Sequence, residues 1–94
     1  MNLSFSGTIG NPPHLRFSEH GTSFTFFSVA MATKPNKPNA SQTVWWSCVA
    51  FGNLADQICI RYKKGDVISI TRATVGNAPN KQLQVQVQEI AENN

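Results

Sequence analysis

The 94 residues predict an all-β domain, a five-stranded Greek-key barrel with a single helix between its third and fourth strands. Three observations carry this expectation. Apolar and polar residues alternate at period two in short segments spread along the whole chain. Clusters of Gly, Pro and Asn separate those segments. One stretch alone changes to the four-residue spacing of a helix.

In the first strand Leu3, Phe5, Gly7 and Ile9 alternate with Asn2, Ser4, Ser6 and Thr8, the pattern of a sheet with one buried face. Gly10-Asn11-Pro12-Pro13 breaks it, because two prolines remove backbone donors and fix φ. His14 to Phe17 is a brief extended stretch before a turn at Glu19-His20-Gly21. The second strand, Thr22 to Met31, is dense in Phe, Val and Thr. Phe24 and Phe26 share one face, while Phe27, Val29 and Met31 share the other. With both sides apolar, this strand belongs inside the sheet or at a subunit contact. Residues 34–42, with Lys34, Pro35, Lys37 and Pro38, form a basic, proline-rich loop.

The third strand, Thr43 to Phe51, is the most informative. Trp45, Ser47, Val49 and Phe51 fall on one face, and Val44, Trp46, Cys48 and Ala50 on the other. A small domain cannot easily bury large apolar groups on both faces, so the surplus face needs another use. Flat rings beside basic residues suit a surface on which nucleobases stack. Trp46, at the opposite parity, is expected in the core or at a subunit contact.

Gly52-Asn53 ends that strand. Asn53 is placed to cap a helix with the apolar stripe Leu54, Ile58 and Tyr62, and Asp56 is expected in its first turn. Lys63 and Lys64, followed by Gly65 at C′, close it. Asp66 to Val75 forms the fourth strand, with Ile68 and Ile70 inward. Residues 76–81 are a turn-rich connector. The fifth strand alternates Leu83, Val85 and Val87 with Gln82, Gln84, Gln86 and Gln88, and residues 91–94 are a short polar end. Five strands with a helix at that place are the arrangement of an OB-fold, a partly open barrel. The whole chain, 1–94, makes one domain without internal repeats.

Composition narrows the function. Apolar residues make up 40% and charged residues 14%, which fits a globular chain and leaves open that partner subunits cover some surface. The net charge of +3 is compatible with nucleic acid. No apolar run is long enough to span a membrane, and the alternating start is wrong for a signal peptide. Cys48 and Cys59 read as reduced core thiols of an intracellular protein. His14 and His20 have no ligand partners at metal spacing, so no metal site is expected. No nucleophile motif, phosphate-cradling loop or paired acid is present, and neither enzymatic activity nor a cofactor is expected.

Three motifs make the chain resemble bacterial and phage single-stranded DNA-binding proteins of the SSB type over nearly its whole length. The first runs from Asn2 to Gly10 and continues in Pro13-His14-Leu15-Arg16-Phe17. The second is Thr43-Val44-Trp45-Trp46 with Val49-Ala50-Phe51-Gly52-Asn53-Leu54-Ala55, and the third is Tyr62-Lys63-Lys64-Gly65-Asp66-Val67-Ile68-Ser69-Ile70. The resemblance implies that Trp45 and Phe51 stack bases. It also implies that Arg16, Lys63 and Lys64 lie along the DNA path. Two further tryptophans usual in the family are missing. Their loops offer Lys34, Lys37 and Lys81 instead, and an OB-fold's loops flank the binding face. Ser69 stands where an aromatic is common, and Asn53 where a lysine is common. The expected consequences are weaker binding, a shorter strand path and no recruitment through an acidic tail.

The sequence thus points to sequence-independent binding of single-stranded DNA in replication, recombination or repair. RNA is admitted as a second ligand, because stacking platforms distinguish the sugar poorly. Arg72, near a strand end, is a weak candidate for phosphate contact. The resemblance implies a homotetramer with first strands pairing across a dimer axis, and a dimer is the fallback. It also implies a cytoplasmic setting in a bacterial host, nucleoid-associated or phage- or plasmid-encoded. Two rivals remain: a dimeric replication-restart adaptor with weak DNA binding, and a structural subunit whose aromatic face is an oligomer interface.

Overall fold

The computed structural model describes residues 3–33, 42–77 and 83–91. Its elements are β1 (Leu3–Ile9), β2 (Arg16–Phe17), β3 (Ser23–Thr33), β4 (Gln42–Phe51), α1 (Gly52–Arg61), β5 (Val67–Asn77) and β6 (Leu83–Ile90). The five expected strands are β1, β3, β4, β5 and β6. The brief stretch before the Glu19-His20-Gly21 turn contributes the two-residue β2, which pairs with the start of β3.

The sheet runs in the order β1-β5-β6-β4-β3-β2, and a further β1–β3 pairing closes five of the strands into a barrel. Closure rests on Thr8↔Ala30 and Ile9↔Val29, and on the parallel contact of β4 with β6 at Cys48↔Val85 and Val49↔Gln86. Gly7 allows β1 to approach β3 this closely: a Cβ there would collide with the Val29 side chain. This is the OB-fold, as the order of strands and helix predicted.

Alternation sorts the side chains as expected. Ile9, Phe27, Val29, Ile68, Ile70, Val85 and Val87 fill the barrel, and Ala55 and Ile58 of α1 plug one end. Leu83 and Cys59 depart from that sorting. Leu83, at the start of β6, is exposed, and Cys59 is only half-buried.

Both ends of the helix differ from expectation. Phe51, in extended conformation, occupies the N-cap position and provides no capping side chain. Gly52, at φ +66°, turns the strand directly into the helix, a left-handed step that only glycine makes without cost. Asn53 therefore lies inside the first turn and does not cap it, and Asp56 lies beyond that turn. The Ser23 hydroxyl donates to the Gly52 carbonyl at 3.1 Å and ties the junction to β3. At the other end Arg61 is the basic residue of the last turn, and Tyr62 is already extended. Gly65, at φ +95°, serves a separate turn in which the Lys63 N–H donates to the Asp66 carboxylate at 3.0 Å.

Candidate nucleic-acid interface

The hairpin of β3 and β4 sets the site. Its register places Ala30 opposite Trp45, Ser28 opposite Ser47, Phe26 opposite Val49 and Phe24 opposite Phe51. Residues directly opposite in an antiparallel pair share a face, so these four rows form one outward surface. Val49 is covered, but Trp45, Phe26 and Phe51 are 58%, 48% and 47% exposed. Rings this large are normally drawn inward, and three on one open face constitute a platform.

Phe24 joins Phe26 edge-to-face with centroids 5.5 Å apart, and Phe51 at 6.4 Å with a 41° tilt. These contacts hold the rings without covering them. Trp45 stands at the far end of the same face, over Gly10. The segment beneath it is fixed to β3 by the Asn11 carboxamide oxygen, which accepts from the Ser28 backbone N–H at 2.7 Å and its hydroxyl at 2.6 Å.

Arg16 pairs with Phe24 across β2 and β3, so its exposed side chain flanks the phenylalanine cluster. A groove of about 390 Å³ runs alongside, lined by Asn11, Pro12, His14, Arg16, Phe24 and Phe26. Lys63 and Lys64 are exposed on the turn after α1. That turn is attached to the end of β1 by the Gly65 N–H donating to the Ile9 carbonyl at 2.8 Å, one residue before Gly10 under Trp45. Arg16 thus lies beside the Phe24 end of the aromatic face, and the Lys63–Lys64 turn is tied to the strand that ends just before Gly10. Lys34, Lys37 and Lys81 lie outside the described residues. Arg72 is engaged with Glu89 at 3.0 Å, an exposed ion pair that leaves it less charge to offer.

Of the sequence-predicted rings, Trp45 and Phe51 both stand outward on this face. Trp46 faces the other way, half-buried against the core with Phe5 at 6.2 Å between centroids. Phe24 and Phe26 are the residues that sequence reasoning missed as site components. Their shared parity was visible, but only the strand register puts them beside Phe51.

An OB-fold whose open strand face carries uncovered rings beside an exposed arginine has the build of a module for unpaired nucleic acid. The chain belongs to the single-strand binding protein family, whose model matches residues 1–91. It is also similar to the crystal structure of the SSB domain of a protein from Synechococcus sp., at 18% identity and a TM-score of 0.74. That match covers 97% of this chain and 93% of the other, and it carries the fold. No curated protein matches the chain. Family and fold together support single-stranded DNA binding in general terms.

Proposed function

We propose that this protein binds single-stranded DNA without regard to defined sequence, protecting it during replication, recombination or repair. The observation that carries the reading is the outward face on which Trp45, Phe26 and Phe51 stay open to solvent, with Arg16 paired beside Phe24. Bases stack on the rings, each contributing roughly 1–3 kcal/mol. Arg16, Lys63 and Lys64 neutralise phosphates, with Lys34, Lys37 and Lys81 as further candidates from the loops. Duplex DNA is refused because its bases already stack on one another.

The working form in this reading is a homotetramer. Residues 3–6 of β1 pair with β5 on one side, and no described strand pairs with their other edge. Beside that edge Leu3, Phe5, Met31 and Trp46 line an apolar cleft of about 190 Å³. Edge and cleft together suit a second copy, and Trp46, expected in the core or at a subunit contact, lines that cleft.

Titration of intrinsic tryptophan fluorescence with oligo-dT tests the function. The expected result is strong quenching with a steep loss of affinity as salt rises. An unchanged signal at low salt, with no retention of the oligonucleotide on a filter, would overturn it.

A further inference from the structure

The aromatic face does not stop at β4. Across the parallel contact with β6, Val49 is opposite Gln86, and Gln86 is opposite Thr74 of β5. One row beyond, Gln84 is opposite Gly76. These positions continue the outward surface of Phe26 and Val49, and its chemistry changes there from rings to amides. Where the two halves meet, a groove of about 160 Å³ is lined by Phe51, Val49, Thr74, Asn77, Gln84 and Gln86. Gln86 is exposed and Gln84 half-buried. Neither carboxamide is held by a hydrogen bond to another described residue, although both line the groove.

We propose that this groove reads the edge of an unpaired base: a base stacked on Phe51 turns its Watson–Crick edge toward the carboxamides of Gln84 and Gln86. The inference rests on the stacking function proposed above and adds a second recognition element to it. A carboxamide offers both donors and an acceptor, and it rotates to present either. Each of the four bases carries a donor–acceptor pair on that edge, so an amide satisfies any of them without selecting a sequence. Gly76, opposite Gln84, puts no side chain over the groove at that row. The edge is free only when the base has no partner strand, so this contact favours single strands over duplex independently of stacking.

The test compares oligo-dT with an oligonucleotide of the same length built from the difluorotoluene deoxynucleoside, which has thymine's shape and stacks but lacks its hydrogen-bonding edge. Both are competed against a labelled oligo-dT at one salt concentration. The wild-type protein is expected to bind the analogue about 3- to 10-fold more weakly, the scale of one hydrogen bond between neutral groups. The double variant Gln84→Ala/Gln86→Ala should bind the two alike, at the level the wild type shows for the analogue. Gln88→Ala is the control, since Gln88 lines a different groove beside α1 and should leave the preference intact. Equal wild-type affinity for both oligonucleotides overturns edge reading while leaving stacking in place, as does a preference that survives in the double variant. Binding of neither oligonucleotide overturns the stacking function itself.

Discussion

The six-membered ring of Trp45 lies directly on Gly10, so close that a Cβ on the glycine would overlap the indole. Gly10 in turn donates its N–H to the Ser28 carbonyl at 2.9 Å, and the neighbouring Asn11 holds the same serine. The chain after β1 is therefore a shelf fixed to β3. A flexible, exposed tryptophan loses rotamer freedom when a base stacks on it, and a shelf removes part of that cost beforehand.

Gly10→Ala tests the shelf. The methyl group must displace the indole, so affinity for oligo-dT should fall about 3- to 30-fold, corresponding to roughly 0.7–2 kcal/mol of the stacking contribution. The barrel should persist, because Gly10 lies just beyond β1 and outside the core. Fluorescence titration together with far-UV circular dichroism checks both parts.

The two adjacent tryptophans should report differently. Trp45 is open on the stacking face, whereas Trp46 is half-buried against Phe5 on the other. Trp45→Phe is expected to abolish most of the DNA-induced quenching and weaken binding. Trp46→Phe should retain the quenching. Persistence of full quenching in Trp45→Phe would place the stacking elsewhere on the face.

Why two rings were legible and their neighbours were not follows from how each fact is encoded. Side-chain alternation is local, so β1 and β6 could be read directly; in β4 it placed Trp45 and Phe51 on one face, and the family resemblance implied that this face is the outward one. Phe24 and Phe26 sit in a strand apolar on both sides, and parity alone does not say which side faces water. Their place beside Phe51 is a property of hairpin register, which no local pattern states. In the sequence the glutamines of β6 are simply the polar half of an alternating strand. Only the parallel β4–β6 contact brings them to the aromatic groove. The start of α1 was misread for a similar reason. Asn53 is a good capping residue, but Gly52 already makes the turn into the helix, which leaves Asn53 inside the first turn and past the capping position.

Salt dependence should isolate the cations. With Arg16, Lys63 and Lys64 each neutralising one phosphate, the log–log slope of affinity against salt is about −2, at about −0.7 per contact on a single strand. Arg16→Gln should make the slope shallower by about 0.7. Arg72→Gln should leave it nearly unchanged, because Glu89 already engages that guanidinium. Binding isotherms at four or more salt concentrations measure both.

Thr25 offers a stability test away from the site. Its side chain is fully buried, and among the described residues its hydroxyl oxygen has no hydrogen-bond partner. Valine keeps the shape and removes the stranded polar group. Thr25→Val should therefore stabilise the fold by about 1 kcal/mol. For a domain of this size that raises Tm by roughly 4–8 °C. Calorimetry of the two proteins decides the matter, and a lowered Tm would show that the hydroxyl is satisfied in solution.

Cys48 makes stability fall at alkaline pH. Burial in the core pushes its thiol from 9.0 up to about 12, because the thiolate would lose its hydration there. Below pH 9 the thiol is protonated in the folded and unfolded chains alike, and its contribution is fully present. As pH rises from 9 toward about 12, the unfolded chain releases this proton while the folded chain retains it. The unfolded state then binds fewer protons, and stability drops by up to about 1.4 kcal/mol per pH unit. Cys48→Ala removes that drop at the cost of a small cavity, so its urea midpoint should be lower than wild type at neutral pH and approach it as the solution becomes alkaline. Parallel midpoints across the whole range would mean that the thiol ionises as readily in the barrel as in the unfolded chain.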